Sequence, residues 1–128
     1  MSVSDTFLEF VLDQLEGLGR ATAKRMFGGA GLYLRGLFFG ILFDDALYLK
    51  VDDENRGDFV EAGSKPFRPF PNRPTALQYY PVPEGVLESR ARLVEWAERA
   101  IAAASRAWSA KTELKAKRAA NPRRARST

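Results

Sequence analysis

The stretch from Leu32 to Val51 constrains this chain more than any other. It reads as apolar run, Arg35-Gly36, apolar run Leu37–Phe43, Asp44-Asp45, and then Ala46–Val51. Two-residue connections of turn-forming residues join antiparallel strands, whereas a parallel pair needs a long crossover. The sequence therefore predicts an antiparallel meander. Ala46–Val51 alternates, with Leu47, Leu49 and Val51 on one side and Tyr48 and Lys50 on the other. Leu37–Phe43 is apolar on both sides, so its second face is expected to be covered by a helix or by a second subunit. That expectation carries the prediction of a homodimer.

Helical spacing flanks the meander. Phe7, Leu8, Val11, Leu12, Leu15 and Leu18 recur at intervals of three and four behind Ser4, a capping residue, which predicts a first helix over 4–17. Glu54–Ala62 reads as a short helix stopped by Gly63, and Thr75–Tyr80 as a further strand. Ser89 precedes a long helix whose buried side is expected to carry Leu93, Trp96, Ala97, Ala100, Ile101, Ala104 and Trp108. The fold class is α+β: an antiparallel sheet, a meander plus one later strand, packed against an N-terminal helix and a long C-terminal helix. The expected division is a domain over 1–109 and a basic, disordered tail over 110–128.

Composition removes whole classes of chemistry. The 128 residues include no Cys and no His, which excludes Ser-His-Asp and Cys-His catalysis and His-based zinc sites. No nucleophile–base pair is visible, so no catalytic residue, cofactor or metal ligand is predicted and the chain is read as not an enzyme. A small-ligand site among Tyr33, Tyr48, Tyr79 and Tyr80 is kept as an alternative. Asp44, Asp45, Asp52, Asp53 and Glu54 fall at turns and ahead of a helix, where carboxylates serve the backbone. The start of the chain lacks a basic cluster, and its longest apolar run, the seven residues Leu37–Phe43, is far short of the ~20 that span a bilayer. A soluble cytoplasmic protein with no membrane partner is expected.

Three segments carry the binding expectations. Gly28-Gly29-Ala30-Gly31 matches no phosphate-binding motif and reads as a place where Cβ atoms do not fit. The loop 65–74 interleaves Phe67 and Phe70 with Lys65, Arg68 and Arg73 among prolines. Its rings either grip a partner or stack on bases, or else fold under the loop. Net charge is +4, but residues 111–128 hold seven basic groups against Glu113 alone, so the rest of the chain is slightly acidic. Lys111, Lys115, Lys117, Arg118, Arg123, Arg124 and Arg126 are candidate nucleic-acid contacts. All seven on duplex DNA would give a log–log salt slope of roughly −6, without sequence preference. The bland reading is a solvated tail, and Lys24 and Arg25 read likewise as a solvated strand edge.

Arg25-Met26-Phe27-Gly28-Gly29-Ala30-Gly31-Leu32-Tyr33 resembles the opening motif of the TfoX N-terminal domain family, the bacterial Sxy-like competence regulators. Leu37-Phe38-Phe39, Asp44–Asp52, Phe59–Phe67 and Gln78–Pro83 with Leu87 resemble its later segments in the same order, over roughly residues 10–105. The resemblance implies a compact α+β unit with no catalytic residue or cofactor. It implies a regulator of competence or other gene expression that works through protein contacts, with a transcription activator as partner and weak nucleic-acid contact at most. Longer members add a C-terminal helical domain; here the Lys/Arg tail is expected in its place.

Overall fold

The computed structural model describes residues 3–26, 28–67 and 78–120. Ser4 is extended, and its Oγ accepts the Phe7 N–H at 3.2 Å, capping helix α1 (Asp5–Gln14) as the sequence predicts. The expected end at residue 17 is replaced by a single 3-10 turn over Glu16–Leu18. Gly17 lies in that turn because Val94 packs close: a Cβ there would stand 3.1 Å from its Cγ2.

Five strands follow the meander: β1 (Ala21–Met26), β2 (Gly29–Leu34), β3 (Leu37–Phe43), β4 (Ala46–Lys50) and, after helix α2 (Arg56–Glu61), β5 (Tyr79–Pro81). They pair antiparallel in the order β1-β2-β3-β4-β5. Both predicted turns have left-handed backbone at each central residue, with φ of 50° and 81° at Arg35-Gly36 and 52° and 54° at Asp44-Asp45. That geometry matches the twist of a hairpin. Asp45 also accepts the Ser4 N–H at 2.8 Å and so ties α1 to the β3–β4 turn. Between β2 and β3 the register slips, so that Leu32 faces Gly40 while Tyr33 faces Phe38. Phe39 is the extra residue of a bulge, and Phe39 and Gly40 are both buried.

The glycine expectation holds. A Cβ on Gly29 would lie 2.4 Å from the Leu42 carbonyl oxygen, and one on Gly31 would lie 2.6 Å from Phe38 Cε1. β5 is short among the described residues; positions 75–77 of the predicted strand lie outside them. Pro81 ends β5 at the sheet's edge, where a missing N–H is tolerated. α2 is shorter than the predicted 54–62. Asn55 stands before it, buried, accepting the Asp52 N–H at 2.8 Å and donating to the Lys50 carbonyl at 2.9 Å. At its end Gly63 (φ +83°) allows the Ser64 N–H to reach the Phe59 carbonyl at 2.9 Å.

One helical turn, α3 (Glu84–Leu87), leads into α4 (Arg90–Ala120), where the Ser89 hydroxyl accepts the Arg92 N–H at 3.3 Å. Leu93, Ala97, Ala100 and Ala104 of α4 are buried against Ala30, Leu32, Leu34, Phe39, Leu42, Leu47 and Leu49 of the sheet. The alanines bring the helix axis close to the sheet. Trp96 closes edge-on against Phe59 at 4.8 Å. Each fully buried Leu, Val or Phe in this cluster contributes about 1.5–3 kcal/mol.

Two expectations change here. Trp108, expected on the buried side from its spacing, is 64% exposed, because α4 reaches the end of the sheet there. Likewise the tail expected to be disordered from residue 110 begins as helix, since α4 continues to Ala120. The α+β architecture itself is as read.

Candidate functional site

The core cluster takes its sheet residues from one face only. The other face presents Met26, Tyr33, Phe38, Ile41, Tyr48 and Tyr79, none of which belongs to that cluster. The sequence offered a helix or a subunit as cover for the second side of β3; among the described residues, no helix packs there. What lies there is an aromatic layer. Tyr33 and Phe38 rings stand 5.1 Å apart, and Phe38 and Tyr79 stand 5.7 Å apart. Gly31 lies beneath, its missing Cβ leaving room for Phe38 and the tip of Met26. Burial, with Tyr33 beside it, pushes the Tyr79 hydroxyl up to about 12, further above the pH at which a free tyrosine ionises.

Phe67 joins this layer. Its N–H donates to the Tyr79 carbonyl at 2.7 Å, and its ring stacks on Tyr48 at 4.2 Å and tilts against Phe43 at 5.6 Å. Of the fates open to this ring it takes the inward one: it is 9% exposed, packed against the outer-face rings and not in the helix-side core. A cleft of about 350 Å³ beside it is lined by Phe43, Asp44, Tyr48, Lys65 and Phe67. Burial, and secondarily the Asp44 charge, raise the Tyr48 hydroxyl above its ordinary value. Arg68, Phe70 and Arg73 of the same loop lie outside the described residues, as does Phe27 of the glycine motif.

The four tyrosines do not converge on one pocket. Tyr33, Tyr48 and Tyr79 face outward, whereas Tyr80 is buried on the helix side against Phe59 at 5.7 Å. The carboxylates serve structure: the Glu54 N–H donates to Asp52 at 3.0 Å, and Arg106 of α4 donates to both Asp52 oxygens at 2.7 and 3.0 Å. The Arg106 hydrogen bond holds the Asp52 carboxyl below the usual carboxylate range. Arg25 is no loose edge cation. It donates to the Val3 carbonyl at 3.0 Å and pairs with Asp5, pinning the segment ahead of α1 to β1. Lys24 is exposed on the outer side.

Past Ala104, the last buried residue among those described, α4 continues for about 24 Å at 1.5 Å per residue. At 100° per residue, Trp108, Lys111, Lys115 and Arg118 prolong the stripe that Leu93, Ala97, Ala100 and Ala104 bury. The buried side of the helix thus becomes, beyond the sheet, an indole followed by cations. Lys117 lies off this stripe, and Arg123, Arg124 and Arg126 are outside the described residues.

The segment from the end of α1 through the sheet to Ala104 is also what the comparisons pick out. Residues 13–104 match the model of the TfoX N-terminal domain. The chain belongs to that family. A search of curated proteins returns no match. The matched segment of this TfoX N-terminal domain ends at Ala104, the residue where burial ends among those described, while the packed core also takes in Val3 and Val11, ahead of the match. The family is one of regulatory, interaction-type domains. No helix among the described residues is long and apolar enough to cross a membrane.

Sequence reasoning missed two things. It did not see that the loop around Phe67 and the sheet's second face form one surface, since nothing in the spacing tells which side of a sheet a later loop crosses. It also gave the Arg106–Asp52 clamp no role, because the two residues stand 54 apart in sequence and Arg106 lies off the apolar stripe.

Proposed function

We propose that this TfoX N-terminal domain is a non-catalytic regulatory module of the cytoplasm that works by protein contact and pairs with a second copy through the outer face of its sheet. The observation that carries this reading is the half-buried aromatic layer Tyr33, Phe38, Tyr48 and Tyr79, which the helix-side core does not use. Aromatic side chains concentrate at protein contacts because they bury large area with few rotors. The family supports a regulatory role, and a transcription activator is the class of further partner that the resemblance implies. A stable pair needs about 1,200–2,000 Å² of total buried surface, which requires most of one sheet face from each copy.

Light scattering at micromolar concentration tests this. The wild type is expected to be a dimer, and Ile41→Asp, which places a charge at the middle of the outer face, is expected to be a folded monomer by circular dichroism. A monomeric wild type removes the dimer.

The cationic stripe Lys111, Lys115 and Arg118 supports a second reading, weak and sequence-blind contact with nucleic acid alongside the protein contact.

A further inference from the structure

Where α4 leaves the sheet it passes the start of β3, the end of β4 and the start of β5. On one flank Arg106 holds it to Asp52, and Glu54 lies 3.0 Å from the same guanidinium nitrogen. On the other a groove of about 230 Å³ opens between the helix and the aromatic layer, lined by Leu37, Phe38, Lys50, Tyr79, Trp108 and Lys111 among others. Its walls are ring faces and apolar stems. Its charges are both positive, and no carboxylate lines it. Lys50 Nζ stands 5.3 Å from the Tyr79 ring centre, and neither Lys50 nor Lys111 forms an ion pair among the described residues.

We propose that this groove holds one base of a single-stranded nucleic acid, stacked on Trp108, with Lys50 and Lys111 on the flanking phosphates and Lys115 and Arg118 carrying the strand along the helix. The inference rests on the second reading above and adds to it a site. A volume below the ~300–1,000 Å³ of small-molecule sites suits a single planar ring system. A cation rim with an aromatic wall is how non-specific single-strand binders combine phosphate attraction with stacking. A duplex keeps its bases stacked inside and offers nothing for an indole to take. The neutral Tyr79 hydroxyl brings no negative charge to the site. The exposed indole, 64% accessible on a helix face that elsewhere packs inward, is otherwise a cost in solubility.

The test titrates the full chain, at two salt concentrations, with oligothymidylate, a duplex of equal length, thymidine monophosphate and polyglutamate, following tryptophan emission and anisotropy. Oligothymidylate is expected to quench emission and to bind more tightly than the duplex. Trp108→Leu is expected to weaken strand binding about tenfold and abolish the quench, and Trp108→Phe to keep most of the affinity. Salt-sensitive binding of strand and duplex alike, indifferent to position 108, overturns the base site and leaves the phosphate reading standing. No binding of either overturns both. Equal quenching by the monophosphate overturns the strand in favour of a free nucleotide, and equal competition by polyglutamate overturns it in favour of an acidic protein.

Discussion

Gly29 and Gly31 stand two apart on β2 and face the same side of the sheet, yet a methyl group at each meets different matter. At Gly31 it meets the tips of Phe38 and Met26, at 2.6 and 2.8 Å, which shift at a price of about 1–3 kcal/mol. At Gly29 it meets the Leu42 carbonyl oxygen at 2.4 Å, and only the backbone of the β2–β3 pair can yield. Gly29→Ala is therefore expected to lower the unfolding midpoint more than Gly31→Ala, while Gly57→Ala, on an exposed helix with nothing within 4 Å, raises stability by about 0.5–1 kcal/mol. Thermal unfolding of the three variants ranks them, and the reverse order for the first two would show that β2 and β3 are less tightly apposed. A run of glycines is legible in sequence as a place without Cβ atoms. What occupies the vacated space is not, because Phe38 and Met26 arrive from strands on either side.

At the scale of the element, α4 shows where periodicity stops informing. Spacing fixes the direction a side chain points, and it placed Leu93, Ala97, Ala100 and Ala104 correctly. It says nothing about how far the opposing surface extends, so Trp108 points as read but stands at the sheet's end, beside an open groove. The clamp just before it is testable. The Arg106 hydrogen bond lowers the Asp52 pKa in the folded state, so the stabilisation it reports is present above the ordinary carboxylate range, about pH 4, and is lost as pH falls through the lowered value. Both side chains are part-exposed, which limits the effect to about 1 kcal/mol. Arg106→Met is expected to cost that much in urea unfolding at neutral pH and nothing once Asp52 is protonated. A deficit that persists unchanged in acid would mean that the arginine stem, and not its charge, does the holding.

At the scale of the molecule, the meander and both of its turns could be read from the chain, because each is set by neighbours in sequence. The outer surface could not, because it joins β2, β3, β4, β5 and the segment up to Phe67, which only the folded chain brings together. The same contrast bears on the end of α4. The family match and the buried contacts both finish at Ala104, and the described side-chain hydrogen bonds and ion pairs of α4 finish at Arg106. A chain ending at Ala110 keeps all of these and is expected to unfold within ~0.5 kcal/mol of the full chain, as exposed changes do. A chain ending at Ala103 loses Ala104 and the Arg106 clamp together and is expected to fall by ~1–3 kcal/mol. Urea midpoints of the two truncations separate the packed part of the helix from the projecting part. If ending the chain at Ala110 cost as much as ending it at Ala103, the projecting segment would have to rest on the body, and the groove beside Trp108 would be closed to any strand.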